Sequence, residues 1–203
     1  MKKTAKILLF ALLIYFIFGF CRIICHKHTL RNDVIRLHVV ANSDSQEDQT
    51  VKLIVKDAIV SYLQPKMNEL QTVQQAKNYI THSISKLTAI ANDALLEHNS
   101  KYQAKVTLGI ESFGRRDYDT FSLPAGVYES LRVEIGNADG KNWWCVVFPS
   151  LCVPTTGDEF RDAAVSSGFN ENLTDTLSDN GTYKIRFLLL DWLGQIENFF
   201  LFR

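Results

Sequence analysis

The chain has 203 residues, with 22 basic and 22 acidic side chains and a formal net charge of zero. That length fits one domain behind a leader, or at most two small domains, and a hydrophobic fraction of 46% fits a folded body. Lys2, Lys3, Lys6 and Arg22 are the only charged residues before position 23, which leaves 18 basic against 22 acidic in the remainder. A mildly acidic body argues against nucleic-acid binding through phosphate neutralisation.

Ile7 to Cys21 is an apolar run behind three lysines, the layout of a signal sequence. The lysines stay in the cytoplasm and direct everything after them across the membrane. Fifteen residues at helical rise span about 22 Å, short of a bilayer core of about 30 Å, and running on to Cys25 past a snorkelling Arg22 closes the gap. Residues 1–25 are therefore expected to form a signal sequence or an N-terminal membrane anchor, and residues 26–203 an exported domain. The sequence leaves both cleavage and retention open. Cys25-His-Lys-His28 reads as linker, because two histidines do not make a metal site.

Val34 to Val40 has the pattern of a strand covered on both sides: Ile35, Leu37 and Val39 share one face, and Val34 and Val40 flank Arg36 and His38 on the other. Ala-Asn-Ser-Asp44 ends it, since such side chains bond their own backbone. Ser45 caps a helix with Glu47 and Asp48 in its first turn. Val51, Ile54, Val55, Ala58, Ile59, Tyr62 and Leu63 form its apolar stripe, Lys52 and Lys56 its polar flank, and Asp48 is placed to pair with Lys52. Pro65 is expected to end or unwind this helix. Thr72 and Gln75 make a capping box for a second helix running to about Glu97, striped by Val73, Ala76, Ile80, Ile84, Leu87, Ala91, Ala94 and Leu95. His82 and His98 read as surface residues.

Ala104 to Ser112 alternates as a strand with Val106, Leu108 and Ile110 inward. Phe113 to Arg116 turns, and a short strand fits between Tyr118 and Leu123. Leu131, Val133 and Ile135 alternate with Arg132 and Glu134, Asn137-Ala-Asp-Gly140 reverses the chain, and Trp143 to Phe148 is almost wholly apolar; these features predict a β-hairpin. Trp143 and Trp144 are neighbours on a strand and point to opposite faces, so one is expected in the core and the other outward or under another element. Thr155 to Gly181 reads as loop, and Tyr183 to Phe202 as a terminal helix. The predicted fold is α+β: a mainly antiparallel sheet with helices packed on one face, behind the N-terminal segment.

Export permits a disulfide between Cys145 and Cys152, which would close a short loop at the end of the Trp strand; the alternative is two buried thiols. The cluster His38, Asn42, Ser43, Asp44 and Asp48 at the end of the first strand is the one group with a reactive look. Capping explains its residue types most simply, with a partner-contact surface next and general-base catalysis third. No glycine elbow surrounds Ser43, and no phosphate loop, metal spacing or cofactor motif is present. Catalytic and metal residues are accordingly expected to be absent, and the partner-binding candidates are His38, Asn42, Asp44, Asp48, Asn142, Trp143 and Trp144.

Two blocks carry a resemblance. IRLHVVANSDSQEDQTVKLIVKDAI from Ile35, and LPAGVY, LRVEIG and GKNWWCVVFPSLC between Leu123 and Cys152, resemble the stage II sporulation protein R family. This resemblance implies a signalling protein made in the forespore and exported into the intermembrane space. There it would be needed for a membrane-embedded sporulation aspartic protease to process the precursor of a mother-cell sigma factor. Two other classes compete with that expectation: an exported hydrolase using His38 and Asp44 as an acid–base pair, and a wall- or membrane-binding module using its tryptophans and C-terminal aromatics.

Overall fold

The computed structural model describes residues 33–118 and 122–150, with isolated helical positions at Phe10, Leu13, Ile14, Tyr15, Trp192, Gln195 and Phe199. Among the described residues no helix is long and apolar enough to cross a membrane. Most of the predicted leader, the loop from Thr155, the body of the terminal helix and Cys152 lie outside them.

Strand β1 (Ile35–Val40) leads into helix α1 (Gln46–Met67) and helix α2 (Val73–Glu97). Strands β2 (Ala104–Phe113), β3 (Arg116–Asp117), β4 (Ser122–Leu123), β5 (Gly126–Ile135) and β6 (Asn142–Phe148) follow. Helix α1 starts where Ser45 Oγ accepts from the Asp48 amide, and α2 starts on the Thr72–Gln75 capping box. Asn99 ends α2 in the left-handed region at φ 55°, with the Ser100 amide bonded back to the Leu95 carbonyl at 2.9 Å. Pro65 does not stop α1, which continues to Met67. Pro65 and Ser61 both lie on the exposed side of the helix, and the interruption sits in the last turn, where it costs least.

The four-stranded sheet has the order β2-β5-β1-β6. β5 and β6 are therefore not a hairpin: β1 lies between them, parallel to β5 and antiparallel to β6. The sheet is mixed, mostly antiparallel with one parallel pair, rather than built from antiparallel neighbours alone. The reversal at Asn137–Gly140 is real, but the turn spans two strand spacings, roughly 10 Å, instead of one. It does so by arching over the end of β1: the Gly140 amide donates to the Ala41 carbonyl at 2.9 Å and the Asp139 amide to that of Asn42 at 3.2 Å.

All six residues of β1 are buried, as a central strand requires. Ile35, Leu37 and Val39 line up with Leu131, Val133, Cys145 and Val147 on the face that the helices cover. Val51, Val55, Ile59 and Leu63 descend from α1 onto this face, and Ala76, Ile80, Leu87 and Ala91 from α2. Each fully buried aliphatic side chain contributes about 1.5–3 kcal/mol relative to exposure. The alternation predicted for β2 holds in direction, but only Val106 is fully covered; Leu108 is partly buried and Ile110 is 57% exposed.

Candidate functional site

The sheet face turned away from the helices collects charge and aromatic rings around a few buried valines, Val40 and Val146 among them. The β1–β5 register sets Arg36 beside Ser130 and His38 beside Arg132, and the β1–β6 register sets His38 beside Trp144 and Val40 beside Asn142. β2 adds Glu111 and Phe113, and the β3–β4 ribbon adds Arg116. Side-chain period 2 makes this inevitable once the strand order is fixed, because every residue opposite a core position points here.

His38 is the hub. Its Nδ1 lies 3.2 Å from Glu111 Oε2, its Nε2 lies 2.8 Å from Asn142 Oδ1, and its ring stacks on Trp144 at 5.6 Å between centroids. Arg132 Nη1 donates to Glu111 Oε1 at 2.5 Å, and Arg132 Nε donates to Glu134 at 2.9 Å. Burial alone would raise the Glu111 pKa; hydrogen bonds from His38 and Arg132, with the charge of His38, outweigh it and bring the carboxyl to about 2. The Arg116 guanidinium lies 3.7 Å over the Trp144 indole. Arg36 is fully buried, donates to the Tyr118 hydroxyl at 2.9 Å and stands 4.0 Å over the Phe113 ring, while its Nε and Nη1 find no acceptor. Burial lowers the Arg36 pKa, opposed by Tyr118 and Tyr128. This face offers cation–π contacts and hydrogen bonds. Ser130, the hydroxyl residue beside Arg36, is fully buried and is not a presented nucleophile.

Asn42, Asp44 and Asp48 form a separate group at the rim. Asp48 Oδ2 accepts from Asn42 Nδ2 at 2.9 Å and from Ser43 Oγ at 2.5 Å. These two bonds, Asn42 first, lower the Asp48 pKa. Asn42 Oδ1 accepts from the Asn137 amide at 3.0 Å, and Asp44 Oδ1 from the Lys141 amide at 2.7 Å. The three side chains hold the end of β1, the first turn of α1 and the β5–β6 turn together. The proposed acid–base pair is not assembled: His38 engages Glu111 and Asn142, whereas Asp44 is tied to backbone. The expected Asp48–Lys52 pair is absent too. Lys52 is buried rather than flanking, and its Nζ donates to Gln49 Oε1 at 2.6 Å and to the Lys141 carbonyl at 3.1 Å, lending the turn another bond.

The two tryptophans take opposite faces. Trp143 packs against the helix-side core with Lys56 Nζ 4.9 Å from its ring, and its buried Nε1 has no acceptor. Trp144 lies on the charged face, partly buried. Of the seven partner candidates, the structure thus brings together His38, Asn142 and Trp144, gathers Asn42, Asp44 and Asp48 nearby at the turn, and sends Trp143 elsewhere. Sequence reasoning missed Arg36, Glu111, Arg116 and Arg132. Their signal, charge alternating with apolar residues, is also that of a solvated strand face, and only the register reveals that they converge. Among the described residues no three His, Cys, Asp or Glu side chains cluster as metal ligands.

The family described as Stage II sporulation protein R has a sequence profile that matches residues 31–157, a span containing all four strands of the main sheet and both helices. The chain belongs to the stage II sporulation protein R family. A curated relative, Stage II sporulation protein R of Bacillus subtilis (strain 168), is 27% identical over 184 residues, covering 81% of this chain and 82% of that protein. No solved structure matches. Both rims of the site, from His38 to Asp48 and from Glu111 to Trp144, fall inside the stage II sporulation protein R match.

Proposed function

We propose that this chain is an exported forespore signalling protein of sporulation, acting without catalysis of its own. It activates a membrane-embedded aspartic protease that processes a mother-cell sigma factor precursor. The observation that carries this reading is the family match over residues 31–157. The apolar leader behind Lys2, Lys3 and Lys6 supports export, either by cleavage or as a retained anchor. Supporting a contact role is the composition of the charged face: Trp144, His38, Asn142 and Arg116 form a partly accessible aromatic–cationic patch, the chemistry enriched at interface hot spots.

The test is binding of the purified chain to the protease reconstituted in lipid, alongside precursor cleavage. Trp144→Ala is expected to leave thermal unfolding within a few degrees of the parent and to weaken binding about thirtyfold, roughly 2 kcal/mol. Trp143→Ala should instead lower stability by about 3 kcal/mol through its lost core contacts. A folded Trp144→Ala protein that binds and activates normally would move the contact surface off this face. A Cys145–Cys152 bridge belongs to the same reading and is supported by the buried, disulfide-bonded state of Cys145. Intact mass before and after reduction and alkylation is expected to show one bridge, and Ser at both positions to cost about 2–4 kcal/mol.

A further inference from the structure

Strand β2 forms one border of the sheet, and among the described residues no strand pairs with its outer side. It is ten residues long and keeps an unbroken register with β5 from Ala104 to Phe113. Natural border strands are usually short, bulged, broken by proline or crowded with charge. β2 has no proline and no bulge, and its middle is open: a Cβ built on Gly109 meets nothing within 4 Å. Ile110 stands 57% exposed one residue further on.

The sequence of this border is self-complementary in one register. Two copies related by a twofold axis through residue i pair i−k with i+k. Centred on Leu108, Lys105 faces Glu111, Val106 faces Ile110, and Thr107 faces Gly109. Centred on Thr107, Lys105 meets Gly109 and Ile110 meets Ala104. Centred on Gly109, Lys105 meets Phe113 and Glu111 meets Thr107. Only the Leu108 register sets opposite charges across from each other at both ends, and it lays the exposed Ile110 against the other copy's Val106. We infer that β2 is a homodimer interface: a second copy of this chain pairs antiparallel along β2, with Leu108 on the twofold axis, to continue the sheet across both molecules. This inference stands apart from the activator reading, and its test involves no protease.

The experiment is sedimentation of the full chain in detergent micelles, combined with cysteine cross-linking by a short bifunctional maleimide. The parent is expected to dimerise, with a Kd below about 100 µM, an affinity of roughly 5.5 kcal/mol. Ile110→Lys should weaken the dimer at least tenfold without lowering Tm, which also separates this contact from any made by the leader. Leu108→Cys should cross-link to its own copy. Thr107→Cys and Gly109→Cys should each cross-link poorly alone and well when combined in one chain, a readout that survives if Leu108→Cys misfolds. A monomer up to that concentration, a dimer indifferent to Ile110→Lys, or equal cross-linking at every position would each overturn the inference.

Discussion

Two basic side chains, Arg132 and His38, converge on the Glu111 carboxylate and hold its pKa near 2, below the ordinary 4.5. The unfolded chain therefore binds more protons than the folded one between those values. The stabilisation is complete above about pH 5 and is lost as pH falls through the folded pKa. Asp48 is depressed by Asn42 and Ser43 and acts in the same direction. Thermal unfolding followed from pH 6 down to 2 should show a steep acid limb, and Glu111→Gln should flatten it while costing about 1–3 kcal/mol at neutral pH. Equal acid limbs in both proteins would rule out Glu111 as its origin. Arg36 poses the opposite case, a buried cation with unsatisfied donors. Arg36→Met keeps the volume and removes the charge, so the expected change is neutral or stabilising by about 1 kcal/mol or more. Tyr118 would lose one donor, and amide exchange in β3 should quicken.

The turn between β5 and β6 works as a clasp because two of its residues have no side chain. A Cβ on Gly136, at φ 58°, would lie 2.3 Å from Asn42 Oδ1, and one on Gly140 would lie 2.3 Å from the Ser43 carbonyl oxygen. Gly140→Ala meets backbone and should cost upward of about 2 kcal/mol, with a loosened β1 end visible in amide exchange. Gly136→Ala meets a side chain, so Asn42→Ala relieves it. The double variant in a denaturant-melt cycle should be less destabilised than the sum of the singles by at least about 0.5 kcal/mol. Additive values would show that the backbone angle alone, and not Asn42, demands glycine. The helices of this region were legible from local chemistry: Ser45, Thr72 and Gln75 cap where their types predict, and the stripes of both helices face the core. Strand order was not legible. Asp139-Gly140 signals a reversal but not how far the chain travels while reversing, and the parallel pairing of β1 with β5 leaves no mark on either strand. For the same reason the site was half visible: His38, Asn142 and Trp144 stand out by type, whereas Glu111 and Arg132 look like ordinary solvated alternation until the register places them.

At the scale of the whole molecule, the sheet is assembled from distant parts. β1 is the first of the described strands, yet its partners β5 and β6 are the last two, and the His38–Asn142 hydrogen bond joins residues 104 positions apart. A fragment covering residues 33–117 retains β1, both helices and β2 but lacks the strand that joins β1 to β2. It should show helical circular dichroism without a cooperative thermal transition; a sharp transition would mean that the first half folds alone. The position of β1 also has a consequence for timing. Contacts of such long sequence separation put refolding in the range of milliseconds to seconds rather than microseconds. A chain threaded through a membrane from its N-terminus would deliver β1 early and β6 late. Until Ile135 arrives, the strand whose six residues end up most completely enclosed has neither neighbour to bond with, and one side of it stays open until Phe148 follows, so the exposed lifetime of β1 is set by the arrival of distant residues, not by any property of β1 itself.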